Sequence, residues 1–103
     1  MHVLLKADIP TDTGNAAAKQ GKLGSAIQSI LEDLKPEAVY FADDNGQRCA
    51  RLFLEIQNSS EIPRIAEPWF LAFRASVEIH PVMTLKDLGK AGPFIEQAVK
   101  KCG

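Results

Sequence analysis

Asn45-Gly46 stands between two apolar runs, Ala38-Val39-Tyr40-Phe41 and Arg48-Cys49-Ala50-Arg51-Leu52-Phe53-Leu54-Glu55-Ile56. A two-residue type I′ turn needs positive φ at both central positions, and Asn-Gly meets that need at the least steric cost. The pair therefore commits the middle of the chain to an antiparallel hairpin, with Tyr40 opposite Arg51 and Ala38 opposite Phe53. Every other element has to be arranged around that ribbon.

Upstream, Val3-Leu4-Leu5 opens a strand that Pro10 ends. A helix is expected from an N-cap at Thr13 to about Leu34, with Leu23, Ile27, Ile30, Leu31 and Leu34 laying one apolar stripe along it. Gly21 and Gly24 weaken its first half, through fraying or because a second chain approaches there. Downstream, Ser59 and Ser60 offer caps for a helix with Pro63 in its first turn, and Pro68 is expected to break it. Ala75 to His80 read as a fourth strand closed by Pro81. Thr84 and Asp87 form a capping box that starts a helical tail, interrupted at Gly92-Pro93 and ending near Lys101. Strand, helix, strand, strand, helix, strand is the split βαβ, ferredoxin-like order. It predicts an α+β fold with a four-stranded antiparallel sheet, strand order 4-1-3-2, helices on one face and a C-terminal helix. The length, 103 residues, fits a single domain spanning 1–103.

Strand alternation sorts the side chains into two faces. One carries Val3, Leu5, Ala7, Val39, Phe41, Ala50, Leu52, Leu54, Ile56, Val77 and Ile79, all apolar, and is expected to meet the helices. The other carries His2, Leu4, Lys6, Asp8, Tyr40, Arg51, Phe53, Glu55, Ser76, Glu78 and His80. Leu4 and Phe53 on central strands are heavy apolar loads for a wet surface, so this mixed face is expected to meet the same face of a second copy, forming a homodimer around a partly polar cavity.

The stretch Ile62-Pro63-Arg64-Ile65-Ala66-Glu67-Pro68-Trp69-Phe70, followed by Val77-Glu78-Ile79-His80-Pro81-Val82-Met83-Thr84 and Asp87-Leu88, resembles a family of small bacterial proteins of unknown function within the dimeric α+β barrel superfamily. In that family an Ala-Glu-Pro-aromatic-Phe segment precedes a strand ending in Pro-Val-Met and an Asp-Leu helix. The resemblance implies the fold and the dimer and transfers no catalytic residue. The wider superfamily includes cofactor-free monooxygenases, muconolactone isomerases and haem-dependent chlorite dismutases, so shared architecture does not select one chemistry.

Composition narrows the partners. Twelve Lys plus Arg against thirteen Asp plus Glu leave a formal charge of -1, and the pI is near 6.1. This is no footprint for nucleic acid or an anionic membrane. No apolar run is long enough to cross a bilayer and no signal peptide is recognisable, so a cytoplasmic protein is expected. Cys49 and Cys102 lack metal-type spacing and read as free thiols.

Candidate chemistry lies on the mixed face. Glu78 is expected in a row with Leu4 and Phe53, where apolar neighbours favour its neutral form; with His80 it makes a proton-transfer pair. The competing reading is a structural ion pair of Glu78 with Lys6 or Arg51 across the dimer. Lys6, Tyr40 and Arg51 share a row suited to holding an anionic or carbonyl-bearing ligand, beside Phe53. His2, Glu55 and His80 at one end resemble a metal ligand set, but chain ends fray and the group reads as a polar rim, so no metal is expected. Gly21-Lys22-Leu23-Gly24-Ser25 lacks the spacing of a phosphate loop. With no nucleophile-base pair and no cofactor fingerprint, no cofactor is expected. Two functions remain open: binding of a small molecule, and a cofactor-independent isomerase or monooxygenase using Glu78 and His80.

Overall fold

The computed structural model describes residues 1–103. Its elements, in chain order, are β1 (His2–Ile9), α1 (Thr11–Lys19), α2 (Leu23–Leu34), β2 (Ala38–Asp44), β3 (Gln47–Glu55), a 3-10 turn (Ser59–Glu61), α3 (Ile62–Phe73), β4 (Ser76–Val82), α4 (Leu85–Lys90) and α5 (Gly92–Cys102). The chain is thus α+β, with one four-stranded antiparallel sheet and five helices. The strand order is β2-β3-β1-β4, or β4-β1-β3-β2 from the other edge. No helix is long and apolar enough to cross a membrane.

The hairpin forms on Asn45 and Gly46, whose φ values are 51° and 78°. Its register sets Tyr40 opposite Arg51 and Ala38 opposite Phe53. The core follows from strand alternation. Val3, Leu5, Ala7, Ala50, Leu52 and Leu54 are buried on one sheet face, against Ile30 and Leu34 of α2 and Ile65, Trp69 and Phe73 of α3. Trp69 is 0% exposed, and its ring centroid lies 6.3 Å from that of Phe73. Burying an aromatic side chain of this size contributes about 3 kcal/mol.

Four local expectations are corrected. The helix read from Thr13 to Leu34 is two helices, and its start moves to Thr11, with Pro10 at the N-cap. Gln20, Gly21 and Lys22 separate the halves, and Gly21 takes the left-handed φ of 69° that a side chain would resist. Pro68 does not end α3, which continues to Phe73. Pro68 lacks the amide that would bond the Arg64 carbonyl, but Ile65, Trp69 and Phe73 hold both sides of the gap in the core. The cap before it is Asn58, whose side chain accepts from Ser60 while Glu61 accepts from the Gln57 and Asn58 amides. Pro81 does not close β4, since it pairs with Val3 inside the strand; β4 is an edge strand, where a missing amide can face outward.

The apolar face is also incompletely covered. Phe41 shares it with Ala50 but remains 58% exposed on the edge strand β2. The expected C-terminal helix is the pair α4 and α5. Thr84 and Asp87 form the anticipated capping box, the Asp87 amide donating to Thr84 Oγ1 and the Thr84 amide to Asp87 Oδ2.

Candidate site on the open sheet face

Pairing across β4, β1, β3 and β2 orders the mixed face into rows. His80, Leu4, Phe53 and Ala38 form one; Glu78, Lys6, Arg51 and Tyr40 the next; Ser76, Asp8, Cys49 and Ala42 a third. An apolar centre made by Leu4 and Phe53 therefore adjoins a charged row. Glu78 stands opposite Lys6, not Leu4, and it is His80 that joins the row of Leu4 and Phe53. The expected apolar seat for Glu78 is replaced by an ion pair inside one chain.

Lys6 is the hub. Its Nζ lies 3.2 Å from Asp44 Oδ2 and 3.3 Å from Glu78 Oε2. Hydrogen bonds to Asp44 and then Glu78 raise the Lys6 pKa above its ordinary value. Glu78 Oε1 is 3.8 Å from His80 Nε2, so a line of polar groups runs from Asp44 through Lys6 and Glu78 to His80. Arg51, next to Lys6 in the row, forms no such ion pair. Tyr40, opposite Arg51 in the hairpin, is exposed.

Asp8 and Asp44 behave as an unequal pair. Burial, followed by the neighbouring Asp44, raises the Asp8 pKa above the usual carboxylate value. A hydrogen bond with Asp8, then one with Lys6, lowers that of Asp44. Asp8 therefore gives up its proton at a higher pH than Asp44 does. Between them on β3, Cys49 is buried, and burial followed by its hydrogen bond to Asp8 pushes the thiol pKa to about 11. It is protonated at neutral pH and is a poor nucleophile.

The proposed rim at the other end is rearranged. His2, Glu37 and Glu55 present ligand atoms within 4.8 Å of one another, whereas His80 stands in the next row. Glu37 takes this place because its amide donates to the Phe53 carbonyl, extending the hairpin beyond β2. One imidazole and two carboxylates are a donor set for a divalent cation. Here His2 Nδ1 lies 3.2 Å from Glu37 Oε1, and both carboxylates are exposed, so an ion pair accounts for the grouping.

All six residues singled out in the sequence fall on this face: Lys6, Tyr40, Arg51 and Glu78 in one row, Phe53 and His80 in the next. Asp8 and Asp44 were missed as partners. Strand parity contained the signal, since Asp8 follows Lys6 by two and Asp44 follows Tyr40 by four. Apolar hollows lie elsewhere on the chain: one of about 480 Å³ beside Ile9, Ile27, Phe41 and Ala50, one of about 380 Å³ between α3 and β4, and one of about 430 Å³ on α2 beside Phe41.

Neither a protein-family profile nor a curated protein sequence matches the chain. A solved structure described as the de novo designed protein Ferredog-Diesel is similar at a TM-score of 0.45 and 9% sequence identity, covering 79% of this chain and 85% of that one. A similarity at that level assigns no function.

Proposed function

We propose that this chain is a ferredoxin-like domain that pairs with a second copy through its open sheet face, giving a dimeric α+β barrel that holds a small anionic or carbonyl-bearing molecule between the sheets. The observation supporting this most strongly is the pattern of that face. Core helices pack against the opposite side of the sheet, leaving Leu4 and Phe53 beside a cation, Arg51, that is not spent on an internal ion pair. Pairing would remove the apolar centre from water and lower the dielectric around Arg51, strengthening its grip on an anion. Free cysteines suit a reducing, cytoplasmic setting.

A thermal-shift screen of small carboxylates and carbonyl compounds tests the reading. A ligand should raise the melting temperature of the parent, and Arg51→Gln should abolish that rise. Stabilisation that survives Arg51→Gln would place the ligand elsewhere.

The contact between Glu78 and His80 supports a second reading, a cofactor-independent isomerase or monooxygenase in which this pair moves a proton. Glu78→Gln separates the two: turnover lost with binding retained marks an enzyme, whereas loss of binding alone marks a sensor or carrier.

A further inference from the structure

On the helix side of the sheet, at the turn end of the hairpin, a cavity of about 480 Å³ opens between α2 and β2–β3. Ile9, Ile27, Phe41 and Ala50 make its apolar lining, and Phe41 is left 58% exposed there. The volume is in the range of roughly 300–1,000 Å³ usual for small-molecule sites, which are mostly apolar with a few placed polar groups. Two charged side chains also line it, Arg48 and Asp43. The cavity is separate from the open face, because Phe41, Asp43, Arg48 and Ala50 alternate away from Tyr40 and Arg51 along the same two strands.

Asp43 and Arg48 stand directly opposite each other across the hairpin, where facing Cβ atoms are about 4.5–5.5 Å apart. Opposite charges so placed ordinarily join, yet none of the ion pairs of the chain contains either residue. Arg48 turns instead towards α1. Its Nη2 donates to Asn15 Oδ1 at 3.1 Å, a neutral partner that leaves the guanidinium charge uncompensated. Gly14 makes room for this: a Cβ at that position would stand 2.5 Å from Arg48 Nη1 and 3.3 Å from its Cζ. The guanidinium is thereby held on the α1 side of the cavity, with most of its five N–H donors free and the Asp43 carboxylate left on the β2 side.

We propose that this cavity binds a free α-amino acid with an apolar side chain. Arg48 receives the carboxylate in a charge-assisted pair, Asp43 receives the ammonium, and the side chain enters among Ile9, Ile27, Phe41 and Ala50, covering the exposed ring of Phe41. The two charges select the class of ligand. An α-amino acid carries a cation and an anion on one carbon atom, which matches a carboxylate and a guanidinium held close together but unjoined. A fatty carboxylate would set its charge against Asp43, and an alkylamine would set its charge against Arg48. The site lies within one chain and needs no pairing of sheets.

Calorimetric titration of the full chain with L-leucine, L-isoleucine, L-valine, L-methionine and L-phenylalanine tests the site. At least one should bind saturably, one per chain, with millimolar or tighter affinity. Its des-amino analogue and its methyl ester, each lacking one charge, should bind at least tenfold more weakly. Arg48→Gln and Asp43→Asn should each weaken binding at least tenfold with the far-UV spectrum retained, whereas Arg51→Gln and Phe53→Asp should bind as the parent does. No saturable binding by any of the five overturns the site, as does unchanged affinity in Arg48→Gln or in Asp43→Asn. A des-amino analogue that binds as tightly as the amino acid overturns the zwitterion. Affinity lost in Arg51→Gln and kept in Arg48→Gln also overturns it and moves the ligand to the open face. A monomeric parent that binds the amino acid through Arg48 and Asp43 contradicts the sheet pairing alone.

Discussion

Lys6 Nζ reaches within 3.2 Å of Asp44 Oδ2, although the two residues belong to strands that are not neighbours. The contact passes over β3, where Cys49 is covered, and it ties the central strand β1 to the end of the hairpin. Asp8 lies in the same knot and is held in the opposite electrostatic sense from Asp44.

Their pH responses should therefore differ in sign. Asp8 has a folded pKa above its unfolded value of about 3.9, so its contribution is fully present below that value and is lost as pH rises through the folded pKa. Asp44 has a depressed folded pKa, so its contribution is present above about 3.9 and is lost as pH falls through the folded value. Calorimetry should show Asp8→Asn melting above the parent at pH 7, with the gain shrinking towards pH 4. Asp44→Asn should melt below the parent at pH 7. Equal shifts in both variants would contradict the unequal pair.

The two thiols should separate by reactivity. Cys102 is exposed on α5, whereas Cys49 is buried with its pKa at about 11. A chromogenic disulfide reagent at pH 7.5 should label Cys102 promptly and Cys49 only on unfolding. Prompt labelling of both would mean that the Lys6–Asp44 contact does not shield β3.

Within α3, the proline and the tryptophan make opposite contributions. Pro68→Ala restores an amide opposite the Arg64 carbonyl and should stabilise the protein by about 1–3 kcal/mol in urea unfolding. Trp69→Ala should cost about 3–5 kcal/mol. Trp69→Phe should cost less, because the buried indole Nε1 has no hydrogen-bond partner to lose. A destabilised Pro68→Ala would show that the ring itself packs in a way an alanine cannot replace.

Much of this architecture was legible because strand parity and Asn45-Gly46 are local signals with long-range consequences. Together they set Tyr40 opposite Arg51 and put Lys6 on the same sheet face; that Lys6 stands in their row depends on the register of β1 on β3. The row of Glu78 was less legible, because the register of β4 on β1 is set by packing between distant segments and not by a turn. Pro68 and Pro81 misled for a related reason: a missing amide costs little at an outward-facing edge, and core packing can offset it inside a helix. The Lys6–Asp44 contact spans an intervening strand, so side-chain reach decides it and spacing alone does not. The exposure of α4 and α5 is visible only when the rest of the core is assembled without them.

The central claim is that the open sheet face is an interface, and equilibrium sedimentation of the parent beside Phe53→Asp and Val39→Ala at micromolar concentration tests it most directly. The parent should have twice the 11.3 kDa chain mass. Phe53→Asp, which places an unpaired charge beside Leu4, should be monomeric, whereas Val39→Ala, which opens space under the helices, should melt lower and remain a dimer. A monomeric parent, or a Phe53→Asp variant as dimeric and as stable as the parent, would contradict the account.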